Sequence, residues 1–356
     1  MTVQKSKRYD GLDGLRAYAA LGVVAVHTAA NSDYQLHSVI TDNVLYPLSY
    51  APFLFMMISA FSMCCGYYER IKKGEITLNE FYSKRYVRIL PFFALLTVLE
   101  AAYTHTLPAY LEAITHMSLT TGLLPNNAAE ISKVGWALGM IFLFYLFFPW
   151  FVFLFDNVKR GSAVVLLGCF MMVLCMNYWY TDRFVAESFN PRTNFLYCFP
   201  FFGAGCLIYL LKDKLLSTTQ KHRALLKWTV IVLLTILALI HQNISETVRQ
   251  LYLLVYYSLV LILGFATPSR VLVNRVTRFV SEISLEIYLS HMAAYRIAEK
   301  LGFMKLPWNN ELGFLVSLTV VLGLTILGDS LYKSMEKKVI ASIRRRKIVK
   351  IEPPAS

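Results

Sequence analysis

Two residues near the start of the chain could do chemistry where chemistry is least expected. Arg16 and His27 lie inside the otherwise apolar run LDGLRAYAALGVVAVH, residues 12–27. A charged or titratable side chain inside a span costs several kcal/mol, which makes it a functional candidate by default. Eleven residues at about 100° each return a helix to nearly the same face, roughly 16 Å further along its axis. The guanidinium and the imidazole therefore share one stripe, with Asp13 beside Arg16 one turn earlier. An imidazole titrates near neutrality and so can take up or give a proton there. Taken singly, Arg16 also reads as a snorkelling anchor and His27 as an interfacial histidine; their common stripe favours function.

A second cationic group lies in FYSKRYVRILPFF, residues 81–93, with Arg85 and Arg88 three apart. Guanidinium forks suit phosphates, although ordinary membrane anchoring explains the same pattern. Buried charges need partners. Glu282 and Glu286, four residues apart after Arg278, are expected to share a face at the depth of Arg16. His291 is expected near His27. Glu100, about 12 residues beyond Arg88 and roughly 18 Å deeper, is the candidate to orient the His27 ring. His37, His105, His116 and His241 read as solvent or headgroup residues.

These residues must be positioned by membrane helices. With 56% hydrophobic and 16% charged residues, the 356-residue chain departs far from the soluble average. Spans of some 20 apolar residues are predicted at about 12–30, 47–67, 87–105, 136–155, 161–180, 195–211, 225–242, 250–267, 279–295 and 312–332. The net charge of +13 comes from Lys and Arg scattered between these spans, which argues against a nucleic-acid partner and for membrane topology. On this plan 28 Lys and Arg fall on the side of the N-terminus and seven on the other. That asymmetry predicts an all-α polytopic bundle of about ten transmembrane helices with both termini cytoplasmic.

The connection 106–135, with Pro108, Pro125 and the apolar stretch 109–124, is expected along the interface. Trp136, Trp150, Trp179 and Trp308 fall near span ends, as an aromatic belt requires. The six cysteines show no metal-ligand spacing, and no metal is expected. One membrane domain spans 1–335, followed by a basic cytoplasmic tail at 336–356. The basic start before an apolar run reads as a retained first span rather than a signal peptide.

Several segments together resemble the acyltransferase family 3 membrane proteins. Leu12 to His27 is similar to the family's Arg-x10-His signature, Phe53 to Phe61 to its aromatic second span, and Phe81 to Pro91 to its Arg-x-x-Arg motif. Trp136 to Pro149, Ile283 to His291 and the segment around Tyr332 and Glu336 resemble later family patterns, in the same order. The chain departs from the family at Ala60, where Gly is common. Met140, Ile141 and Phe142 also stand where many members carry an acid. An appended esterase domain of the SGNH type is not expected. The resemblance implies transfer of an acetyl or similar short acyl group from a cytoplasmic acyl-CoA to a hydroxyl of an envelope glycan or lipid-linked sugar. The acyl-CoA would be a substrate, with no tightly bound cofactor, and membrane lipids the surroundings, in a bacterial cytoplasmic membrane. It implies donor binding by Arg16, Arg85 and Arg88, catalysis by His27 with Arg16, Glu100 and His291, and support from Asp13, Glu282 and Glu286. A transporter or flippase, or an acyltransferase with a small-molecule acceptor, is the competing reading.

Overall fold

The computed structural model describes residues 9–119, 121–123, 131, 133–186 and 189–349. The basic residues Lys5, Lys7 and Arg8, Pro125 with its neighbours, and the tail from 350 lie outside the described residues. Among the described residues the fold is helical, without strands.

The helices, in chain order, are α1 Asp10–Asn31, α2 Ala51–Met63, α3 Leu78–Thr104, α4 Leu107–Met117, α5 Trp136–Leu154, α6 Val158–Leu174, α7 Phe195–Leu210, α8 Lys212–Lys221, α9 Arg223–Ile240, α10 Glu246–Ala266, α11 Arg275–Glu282, α12 Ser284–Lys300 and α13 Asn310–Val349. Seven helical stretches are long and apolar enough to cross a bilayer, or eight if α7 and α8, bent by 77°, form one span. Each of the ten predicted intervals overlaps a helix. α1 and α12, which carry the buried Asp13, Glu286 and His291, lie outside the set of seven.

Two features differ from expectation because helix ends are decided locally. The ninth predicted span is broken: α11 stops at Glu282, Ile283 leaves helical geometry, and α12 starts afresh. At the other end of the chain, α13 runs through residue 335 without interruption to Val349, so the described part of the basic tail continues the last helix.

The first helix is central, packing against α2, α10, α11, α12 and α13. It approaches so closely because Gly11 and Gly14 carry no Cβ. A methyl at Gly11 would stand 1.9 Å from the Gly264 carbonyl oxygen of α10, and one at Gly14 2.2 Å from that of Leu272. On its other side, α2 packs along α7 in a core dense with aromatic rings, such as Phe53 stacked on Phe201 at 4.6 Å. Aromatic rings fill such interiors with large contact areas and offset geometries. Trp136, the first residue of α5, packs against this core, 6.1 Å from the Phe53 ring. Trp150, Trp179 and Trp308 are exposed.

The connection after α3 folds back as a helix rather than merely lying along the interface. Small residues Ala101, Ala109 and Ala113 let α4 seat against α3. His116, expected in solvent or headgroups, is fully buried there, with Nε2 3.1 Å from Glu112 Oε1 and its ring against Phe93. At the end of the second apolar stretch, Lys72 Nζ lies 2.8 Å from Asp156 Oδ1 in the loop between α5 and α6, and this contact holds the exposed Asp156 carboxyl below the usual carboxylate range.

Candidate functional site

Because α1 is one uninterrupted helix, residues eleven apart do share its face, and each end of the stripe meets different neighbours. Arg16 Nη1 lies 3.2 Å from Asp13 Oδ1, and Nη2 donates to Ser62 Oγ of α2 at 2.6 Å. Asp13 is itself buried and accepts from Ser281 Oγ at 3.3 Å. A desolvated guanidinium keeps its charge only with such partners.

The expected pairing of Arg16 with Glu282 and Glu286 is not found. The break at Ile283 separates the two acids: Glu282 ends α11 exposed, whereas Glu286 is buried. Glu286 Oε1 instead meets Lys333 Nζ of α13 at 2.6 Å, and Lys333 also reaches Glu336 Oε2 at 2.9 Å. Arg278 pairs with Asp10 at 3.2 Å.

Arg85 and Arg88 are presented by the first turns of α3. Its start is pinned by a reciprocal capping pair, Glu80 N donating to Thr77 Oγ1 at 3.2 Å and Thr77 N to Glu80 Oε2 at 3.3 Å. Opposite them, the second span widens after α2 into a π-helical turn at Cys64–Tyr68, a feature often found at functional sites. From this turn Tyr67 meets Arg85: Nη2 donates to the phenolic oxygen at 2.6 Å, and the guanidinium lies 4.9 Å from the ring centre. Arg85 Nε is buried without a partner. A buried donor left open marks a place where a ligand or water belongs.

The three arginines line one end, the basic end, of a cavity of about 280 Å³ between α1, α2, α3, α5 and α12. Ser59, Ser62, Tyr67, Tyr145 and Ser284 add hydroxyls, and Phe55, Leu138, Ile141 and Leu285 form apolar walls. Among the described residues no carboxylate lines it. It extends along the second span from Tyr67 to Pro52, fifteen residues or roughly 22 Å.

Tyr288 of α12 is also part of its wall, held by donating to the Val134 carbonyl at 2.8 Å. Behind Tyr288 stand the two histidines. Its ring centre is 6.3 Å from that of His291, which is 5.2 Å from that of His27, edge to face. His291 is almost fully buried, with Nδ1 3.2 Å from the Ile287 carbonyl. A carbonyl only accepts, so Nδ1 carries the hydrogen and Nε2 of the neutral ring is a lone pair. That Nε2 is buried without a partner.

Glu100 does not orient His27. Its Oε1 lies 3.7 Å from Arg296 Nη1 of α12, five residues past His291. Among the described residues no acid stands within ion-pair distance of the His27 ring.

Sequence reasoning passed over Ser62, Tyr67, Tyr145 and Tyr288, whose hydroxyls gain meaning only from the helices opposite. It also passed over Asp329, for which a signal existed: it is the one acid in the predicted span 312–332. Asp329 is buried and accepts from Ser290 Oγ at 2.9 Å, tying α13 to α12 beside His291. At the opposite end, Glu246 is fully engaged by Tyr197, Tyr50, Gln250 and Arg249, a tie between α7, α10 and the segment before α2.

Compared with known proteins, residues 9–328 match the model of a family described as an acyltransferase domain, the acyltransferase family 3 domain. No curated protein and no solved structure matches the chain.

Proposed function

Since the chain belongs to acyltransferase family 3, whose model covers nine-tenths of it, we propose that it moves an acetyl or similar short acyl group from cytoplasmic acyl-CoA to a hydroxyl of an envelope glycan or lipid-linked sugar. That it is a multi-pass membrane acyltransferase follows from the family and the apolar helices. The donor, the acceptor, the roles of the histidines and residence in a bacterial cytoplasmic membrane with both termini inside belong to the proposal.

The observation that carries it is a cavity walled at one end by Arg16, Arg85 and Arg88, free of carboxylates among the described residues, and leading to the wall residue in front of two histidines. Such an end attracts a polyanion, and planar guanidinium forks fit phosphate oxygens in pairs. The thin acyl-bearing arm of the donor then extends between Phe55, Leu138 and Leu285 toward Tyr288. Apolar walls exclude water that would hydrolyse the thioester.

In direct transfer, His27 takes the proton of the acceptor hydroxyl as its oxygen attacks the thioester carbonyl. The carbon–sulfur bond breaks, and the proton passes from the imidazolium to the leaving thiolate. In the two-step route the His27 nitrogen attacks the thioester carbonyl and the carbon–sulfur bond breaks, releasing the thiolate; the acceptor oxygen then attacks the acyl-imidazole carbonyl, the carbon–nitrogen bond breaks, and the hydroxyl proton passes to the freed imidazole. Both routes need a neutral imidazole held in place, and His291 supplies a fixed ring beside it. Arg16 acts from the other end of the stripe as a donor ligand, not at the reacting bond.

The test is labelled acetyl-CoA given to membranes carrying the wild-type protein or His27→Ala. Label is expected in mild-base-labile esters of membrane glycan with the wild type and to be lost with His27→Ala at equal protein abundance. Equal labelling in both preparations removes His27 from the centre.

A further inference from the structure

Arg88 has two surroundings. Besides lining the cavity, it borders an open groove of about 450 Å³ at the basic end, between the first turns of α3 and the far part of α13. The α3 wall is Ser83, Lys84, Val87 and Arg88; the α13 wall is Lys333, Glu336 and Ile340. The Phe92 and Tyr332 rings, 4.5 Å apart, clasp the two helices one turn from Arg88 and beside Lys333. The groove cations differ in how they are engaged. Lys333 is anchored by Glu286 and Glu336. Lys84 and Arg88 are exposed, and neither has a carboxylate partner among the described residues.

We propose that this groove binds a phosphate monoester, that of the donor's nucleotide, and that Lys84 makes the protein select donors that carry it. The inference rests on the acyl-CoA reading above. A coenzyme A thioester has a pyrophosphate in the middle and a separate 3′-phosphate on its ribose, so it needs two anion sites joined by a short passage. The cavity offers one site at Arg85 and Arg16. Arg88 lines both, so it stands where one molecule would pass from the cavity to the groove. Val87 and Ile340 supply apolar faces on either side of the groove, suited to a base or ribose. Lys84 lies one turn before Arg88 on the same face of α3, as four-residue spacing requires. An anionic lipid headgroup offers the same phosphate chemistry, and the shared Arg88 favours the nucleotide.

The test measures binding of labelled coenzyme A and 3′-dephospho-coenzyme A to the full chain in phosphatidylcholine vesicles, with and without phosphatidylglycerol. The wild type is expected to bind coenzyme A about tenfold more tightly than the dephospho form, as loss of one charge-assisted contact implies. Lys84→Gln is expected to abolish that preference by weakening coenzyme A alone, and Lys84→Arg to restore it. Lys84 is exposed, so these changes leave the core untouched. Equal wild-type affinity for the two ligands, or a Lys84→Gln effect seen only with phosphatidylglycerol, overturns the inference while leaving the acyl-CoA reading intact. A wild-type chain that binds neither ligand overturns both.

Discussion

Replacing Arg85 by methionine separates donor binding from chemistry. Arg85 reaches the cavity with Nη2 pinned on Tyr67, its plane 4.9 Å from the Tyr67 ring centre, and its buried Nε open. A methionine keeps most of the stem and removes all the donors. One charge-assisted contact is worth about 1.5–3 kcal/mol, so KM for the acyl-CoA should rise by roughly 10- to 150-fold. The guanidinium sits at the end of the cavity away from Tyr288 and the histidines. Its loss therefore removes binding common to ground and transition states, and kcat should change by no more than about threefold. Arg85→Lys keeps the charge but not the planar fork and should fall between. Tyr67→Phe unpins the guanidinium but leaves its contact to the ligand, and should raise KM by about fivefold, less than the loss of the contact itself. The assay is thiol release from acetyl-CoA by membranes carrying each variant, with acetyl-CoA varied and the membrane glycan as acceptor. An unmoved KM in Arg85→Met makes the arginine a topology anchor. A fall in kcat at constant KM puts it at the reacting bond, and either result refutes the division of labour along the cavity.

Further outcomes follow from the same geometry. Lys333→Met strands the buried Glu286 carboxylate and should cost about 3–5 kcal/mol, whereas Lys333→Met with Glu286→Leu should recover most of it; thermal unfolding in detergent reads both, and a neutral single variant contradicts the pairing. His291→Gln, which keeps a polar atom near the Nε2 position, should retain more kcat than His291→Asn, which preserves only the contact to the Ile287 carbonyl; the reverse order would make that contact the purpose of the residue. Glu100→Gln should leave turnover and its pH profile little changed, because Glu100 faces Arg296; a collapse in kcat would return it to the catalytic group. Gly14→Ala should lower the yield of folded protein, since its methyl would stand 2.2 Å from the Leu272 carbonyl oxygen, whereas Gly66→Ala, with nothing within 4 Å, should express normally.

Much of the architecture was legible because it depends on local, one-dimensional quantities. Length and apolarity decide where a segment can cross a bilayer, and each of the ten intervals overlaps a helix. The pairing of Asp13 with Arg16 was legible for the same reason, being fixed by the period of one helix. So was the common stripe of Arg16 and His27. The approach of His291 to His27 was anticipated from depth, and the rings do meet.

The failures share one cause. Glu282, Glu286 and Glu100 were each assigned a partner from depth, and each has the wrong azimuth: one is exposed, one faces Lys333 and one faces Arg296. Counting residues gives height along the bundle to within a turn, but each residue rotates the side chain by about 100°, and a break such as that at Ile283 resets the phase. By itself the sequence determined which apolar segments become helices, the stripe on α1 and the cationic start of α3. Only the tertiary structure decided that Ser62 and Tyr67 would hold two arginines at one cavity, and that Tyr288 would stand between that cavity and the histidines. Such contacts depend on how each helix is turned toward its neighbours, and that rotation is set by packing of the whole bundle, down to the two glycines that let α1 come close.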